Sequence, residues 1–231
     1  MQHIVRELDA LKNSEKGIFL QRFFKSGKEQ YAEGDIFLGI TVPQQRAIAK
    51  KYFKEISLKD LGKLLESTIH EHRLTALIML TLKYAKADEE DKKKLYEFYV
   101  AHREYVNNWD LVDSSAGVIM GDYLFDKPKQ FLTFLAKSPN MWDRRIAIIA
   151  TYGFIKRGRF DETLKIAELL VHDKHDLIQK AVGWMLREVG NRDLEVEERF
   201  LQKHYKTMPR TMLRYAIERF DEKKRKLYMG K

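Results

Sequence analysis

Apolar residues return every three or four positions along nearly all of the chain, and strict two-residue alternation of useful length is missing. In "DLIQKAVGWMLREVG" this spacing puts Ile178, Ala181, Val182, Met185 and Val189 on one stripe, at about 100° per residue. In "WDLVDSSAGVIMGDYLF" the stripe is Val112, Ala116, Ile119 and Tyr123; in "WDRRIAIIATYGF" it is Ile146, Ala150 and Gly153. The same period predicts helices over "PQQRAIAKKYF", "SLKDLGKLLES", "HEHRLTALIMLTLKYAK", "EDKKKLYEFYVAHRE", "KQFLTFLAKS", "DETLKIAELLVH", "EVEERFLQKHY" and "RTMLRYAIERF". Pro43 suits a first turn after Thr41, and Ser57 with Asp60 three residues on is a variant capping box. Gly, Pro, Asn or a charged break closes each segment. The pattern predicts an all-α chain with short connections.

The helices also repeat. "EHRLTAL", "DRRIAII", "IQKAVGW" and "MLRYAIE" each set a basic residue before a small, apolar stretch: Arg73, Arg145, Lys180 and Arg214. The last three are 35 and then 34 residues apart, and "NNWD" and "NMWD" put Trp109 and Trp142 33 apart. One helix pair fills about that length, which predicts a superhelical array of antiparallel helix pairs of the HEAT type. In such an array Arg145, Lys180 and Arg214 line one face, a basic concave stripe spaced to track a phosphate backbone. The alternative is an irregular bundle with coincidental spacing. We read residues 1–225 as a single repeat domain and 226–231 as a short basic tail.

Charge sharpens this reading. Lys and Arg number 43 against 34 acids, a net +9, which favours a polyanionic partner. No cysteine is present, so disulfides and Cys-ligated metals are excluded. "MQHIVRELDALKNSEKG" carries charge throughout and lacks the apolar core of a signal peptide, and no run approaches the length of a membrane span. The expectation is a cytoplasmic protein without a membrane partner. "HEHR" (70–73) has the wrong spacing for a zinc-protease motif and reads as a solvated helix start. His172 and His175 have no evident third ligand, so neither a metal nor another cofactor is expected.

Helical arithmetic places the tryptophans. Trp109 sits on the edge of its stripe, with Asp113 one turn on as its i, i+4 neighbour and Gly117 leaving the edge uncovered. Trp184 lies off the centre of its stripe, on the side of Lys180 and Arg187; Arg145 flanks its own stripe beside Tyr152 and Lys156. Trp142 falls on its core stripe and reads as packing. An aromatic face beside an acid is either the edge of a core or a surface for a cationic group, and Arg145 and Arg187 are either site residues or surface charges.

"WDLVDSSAGVIMGDYL", "NMWDRRIAI" and "IQKAVGWMLREVG", with the N-terminal "GDIFLGITVPQQR", resemble the AlkD-type DNA alkylation-repair glycosylases, in the family's order and over nearly the whole chain. The resemblance implies a HEAT-like superhelix that holds duplex DNA on a basic concave face. It implies excision of N3- and N7-alkylated purines by cleavage of the N-glycosidic bond, without base flipping and as a monomer. Trp109 and Asp113 of "WDLVD", Arg145 of "WDRR" and Trp184 of "VGWMLRE" fall on family active-site positions. Arg73, Lys156, Lys180, Arg187 and Arg214 complete the expected DNA contacts. Some members carry a second aromatic before the first Trp, where this chain has Asn108. A non-catalytic binder of bent or branched DNA and a protein-interaction scaffold are the alternatives.

Overall fold

The computed structural model describes residues 1–230, which form helices and connecting turns with one isolated parallel bridge between Ile36 and Ile69. Two compact units divide the chain, Met1–Ser115 and Ala116–Lys231. The first holds α1 (Gln2–Ala10), α2 (Ser14–Phe23), α3 (Val42–Tyr52), α4 (Leu58–Leu65), α5 (His70–Tyr84), α6 (Glu89–Ala101) and the start of α7 (Trp109–Ala116). The second holds α8 (Gln130–Ala136), α9 (Met141–Ala150), α10 (Tyr152–Ile155), α11 (Asp161–Leu170), α12 (Asp176–Gly190), α13 (Leu194–His204), α14 (Arg210–Ala216) and α15 (Glu222–Met229). No helix among the described residues is long and apolar enough to cross a membrane.

In the first unit α5 is central, packing against α1, α3, α4 and α6. A helix covered on all sides must be apolar all round or pair its polar groups internally. Both happen here: every residue from His70 to Leu80 is buried. "HEHR" is therefore not a solvated helix start. Glu71 is 1% exposed, and its carboxylate accepts the backbone N–H groups of Leu38 (3.0 Å), Gly39 (2.8 Å) and Ile40 (3.2 Å). Gly39 has φ +83°, and a Cβ there would lie 2.2 Å from the Asn13 carbonyl oxygen, so only glycine closes this nest.

The second unit is built around α12 and α9. The α12 stripe of Ile178, Ala181, Val182, Met185 and Val189 is fully buried, as its period predicts. Trp142 packs in the core at 7% exposure. The segment after Trp109 departs from one continuous α-helix, because Gly117–Gly121 forms a π-helical turn after α7. The backbones pack closely there. A Cβ on Gly121 would lie 2.1 Å from the Ala150 carbonyl oxygen, and one on Gly153 would lie 2.7 Å from Gly121.

The repeat is visible in the hydrogen bonds, in a register one residue away from the sequence reading. Ser67, Ser138 and Asp173 each accept the backbone N–H two residues on, at 3.1, 3.1 and 2.9 Å. Their carbonyl oxygens then accept a side chain six residues on: Arg73 (2.9 Å), Arg144 (2.9 Å) and Gln179 (3.0 Å). The helices α5, α9 and α12 each begin three residues after this anchor. The equivalent basic position is thus Arg144 rather than Arg145. Arg145, Lys180 and Arg214 each stand four residues past the first residue of α9, α12 and α14 and keep one register, whereas Arg73 stands three past the first residue of α5 and falls outside it.

Glu197 supplies a pH-dependent weakness in the second unit. It is 1% exposed, its Oε1 has no hydrogen-bond partner among the described residues, and it occupies the space left by Gly190. Burial, with the charge of Glu198, pushes its carboxyl up to about 8 against the opposing charge of Arg187. The folded state therefore keeps a proton that the unfolded chain releases, and stability falls as pH rises from about 4.5 to about 8. We expect Glu197→Gln to match the parent at pH 4.5 and to exceed it by roughly 2–4 kcal/mol at pH 9 in urea unfolding. Equal differences at both pH values would exclude this account.

Candidate functional site

The first unit carries an aromatic stack. Phe24 and Phe37 stack at 5.0 Å, Phe24 stacks on the Trp109 indole at 5.0 Å, and Phe23 meets Trp109 edge-on at 6.1 Å. Trp109 is half-buried: one side of its ring system rests on phenylalanines while part of it stays open. Asp113, one helical turn on, is also half-buried. Beneath it Tyr99 donates or accepts a 3.0 Å bond with Ser115, and burial together with the charge of Asp113 holds the Tyr99 phenol above its usual range.

What fixes the start of α7 is a buried set of charges that the sequence reading did not anticipate. Arg73 donates to Asp35 Oδ1 at 2.6 Å, and its guanidinium is 3% exposed, so it is no DNA contact in this fold. His70 packs against both Phe37 (4.6 Å) and Phe24 (5.1 Å), with Nδ1 3.3 Å from Asp35 Oδ2 and Nε2 2.8 Å from Asp110 Oδ2. Asn108 donates to Asp35 Oδ2 (3.3 Å) and accepts the Trp109 backbone N–H (2.8 Å). Burial works against a charged His70, but the charge of Asp110 and the bonds to Asp110 and Asp35 outweigh it and raise the imidazole to about 9. Burial likewise works against a charged Asp35, yet the bond from His70 and the Arg73 charge hold its carboxyl below the usual range. Two cations and two anions thus balance, which is the condition under which buried charges persist. An apolar cavity of about 370 Å³ opens beside His70, walled by Phe19, Phe23, Phe24 and Phe37.

In the second unit Trp184 is half-buried, 6.2 Å from the Tyr152 ring, and donates through Nε1 to Glu188 Oε1 at 3.3 Å. Trp184 therefore also carries an acid one turn on, so Asp113 is not the sole carboxylate beside a candidate tryptophan. Glu188 is already engaged by Arg192 at 3.0 Å. The exposed Lys156 lies over the Tyr152 ring at 4.7 Å. Arg145 is corrected inward: α9 is covered by α8, α11 and α12, so its flank is buried, and Arg145 (5% exposed) donates to the Leu177 carbonyl at the start of α12. Lys180 pairs with Asp176 at 3.0 Å, Arg187 pairs with Glu218, and Arg214 is exposed.

A family model described as DNA alkylation repair enzyme matches residues 4–220. The chain belongs to that family. Among solved structures, this DNA alkylation repair family member is similar to a predicted DNA alkylation repair enzyme from Enterococcus faecalis. The two are 18% identical with a TM-score of 0.69, over 91% of this chain and 97% of that one. AlkD2 from Streptococcus mutans aligns at 17% identity and a TM-score of 0.54, over 90% and 99% of the two chains. The protein smu.31 from Streptococcus mutans UA159 aligns at 17% identity and 0.51, over 87% and 96%. These likenesses show the fold, an all-α helical repeat. No curated protein matches the chain.

Proposed function

We propose that this member of the DNA alkylation repair family is a glycosylase that removes N3- and N7-alkylated purines from duplex DNA by hydrolysing the N-glycosidic bond without flipping the base. The observation that carries the reading is Trp109, an indole backed by the Phe24 stack and left partly open, with the carboxylate of Asp113 one helical turn on. A purine alkylated at N3 or N7 is already cationic. It takes the bonding electrons and leaves neutral without a general acid, and positive charge grows on the deoxyribose. Asp113 stabilises that charge and orients, or deprotonates, the water that adds to the sugar. Trp109 and Trp184 grip the sugar and backbone of the damaged nucleotide, their π faces favouring cationic character.

Phosphate contact falls to Lys156, Lys180, Arg187 and Arg214. Arg73 and Arg145 are left out because they are 3% and 5% exposed and donate to Asp35 and to the Leu177 carbonyl oxygen. Lys180 and Arg187 must exchange Asp176 and Glu218 for phosphate, which costs little for the exposed Lys180 pair and more for Arg187, whose side chain is 19% exposed.

Duplex DNA methylated at purines tests this directly. We expect release of 7-methylguanine or 3-methyladenine and none of uracil. The dissociation constant for DNA should rise steeply with salt, with a log–log slope of about 3–4 for four phosphate contacts. Tight, salt-dependent binding without base release would convert the reading to a non-catalytic DNA binder. Binding indifferent to salt would point to a protein-interaction scaffold.

A further inference from the structure

We propose that His70 is a positioning residue: its imidazole, packed against Phe24 and Phe37, bridges Asp35 to Asp110 and so fixes the helix start that presents Trp109 and, one turn later, Asp113. This inference rests on the glycosylase reading for its catalytic consequence, though the bridge itself does not.

Four independent ties converge on the first turn of α7. His70 holds Asp110 at 2.8 Å, the residue directly after Trp109. Asn108, directly before it, is tied through Nδ2 to Asp35, the carboxylate that also faces His70 Nδ1. The same Asn108 accepts the Trp109 backbone N–H. Phe24 stacks on both the His70 ring and the Trp109 indole, so a shift of one ring displaces the other. The base of this assembly is itself anchored, because His70 donates its backbone N–H to Ile36 (2.9 Å), which in turn donates to Thr68 (3.0 Å).

Every charge facing the imidazole is identified. Asp35 comes from the loop before the Ile36 bridge, Asp110 from α7, and Arg73 from its own helix; Glu71, adjacent on α5, is turned to the backbone of residues 38–40. Phe24 and Phe37 bring no charge. With His70 protonated, both ring nitrogens donate, one to each carboxylate. With His70 neutral, one of the two bonds is lost, and the bridge from Asp35 to Asp110 opens. A displacement of about 1 Å at a reacting group costs on the order of a hundredfold in rate, so a small loosening here reaches the chemistry.

The experiment uses the full chain labelled with 5-fluorotryptophan, the Trp109 fluorine signal being assigned by its loss in Trp109→Phe. In the free protein we expect that signal to step with pH, centred at about 9, and to lose the step in His70→Gln. Asp110→Asn keeps an acceptor but not the charge, and should move the step to lower pH; it serves equally if His70→Gln fails to fold. On methylated duplex at pH 7.5, His70→Gln should slow single-turnover base release by about tenfold or more while changing DNA affinity less than about threefold. A step that persists in His70→Gln, or base release equal to the parent's, overturns the proposal. Should the parent itself release no base, the glycosylase reading falls, and the fluorine titration still decides whether His70 governs the Trp109 helix.

Discussion

Asp113→Asn is expected to slow release of 7-methylguanine by about a hundredfold while leaving affinity for duplex DNA nearly unchanged. Opposite unit charges about 4 Å apart attract by roughly 4 kcal/mol at an effective dielectric of about 20. That energy corresponds to about a thousandfold in rate, of which a transition state with partial charge realises less. Asparagine keeps the size and one acceptor oxygen but not the charge, so ground-state binding through the cationic residues and the indoles persists. Glu188→Gln is the matched control. Glu188 stands to Trp184 as Asp113 stands to Trp109; its Oε2 accepts from Arg192 at 3.0 Å and its Oε1 from the indole N–H. We expect it to alter the rate only a few-fold, through the position of Trp184. Single-turnover rates and equilibrium binding on the same methylated duplex separate the two. Equal losses from both substitutions would remove the special role of Asp113.

The sequence made most of the helices readable because their faces alternate at the helical period and their ends carry Thr41, Ser57 and Pro43. The α12 stripe and Trp142 lie where their angles put them. Periodicity tells which face of a helix is apolar; it does not tell how many neighbours cover the other faces. That is why Arg73 and Arg145, read as DNA contacts, are buried. Both precede nearly unbroken apolar runs, "LTALIML" and "IAIIA", and such runs are the signal that a helix is covered on all sides. The helices α1, α2 and α15 escaped notice because they are short and densely charged, and α15 takes in most of the segment read as a tail. Trp109 and Asp113 were legible as an i, i+4 pair. Their support was not, since Asp35, His70 and Asn108 are 35 and 38 residues apart along the chain, and only the fold brings them together.

Removing Asp35 should be the most damaging single change to the first unit. Asp35→Ala leaves the Arg73 guanidinium, 3% exposed, without its carboxylate and His70 with Asp110 alone. Breaking a buried pair from one side costs about 3–5 kcal/mol, because the remaining charge has neither water nor a counter-ion. Hydrogen exchange of the α5 amides reads this unit directly, and at pH 6 we expect their protection to fall by about a hundredfold or more. The pH dependence has a defined sign on each side. Asp35 titrates below its usual value of 3.8 in the folded chain, so its contribution is present above that value and is lost as pH falls through the folded one. His70 titrates near 9 instead of 6.5, so its contribution is full below 6.5 and is lost as pH rises through 9. The parent's first unit should therefore be most protected between about 4 and 6.5, and Asp35→Ala should lose the acidic limb altogether. Its alkaline limb should move to lower pH, because one of the two carboxylates that hold the imidazole charged is gone. Protection in Asp35→Ala equal to the parent's at pH 6 would mean that Arg73 finds another partner, and that the helix start carrying Trp109 is held without Asp35.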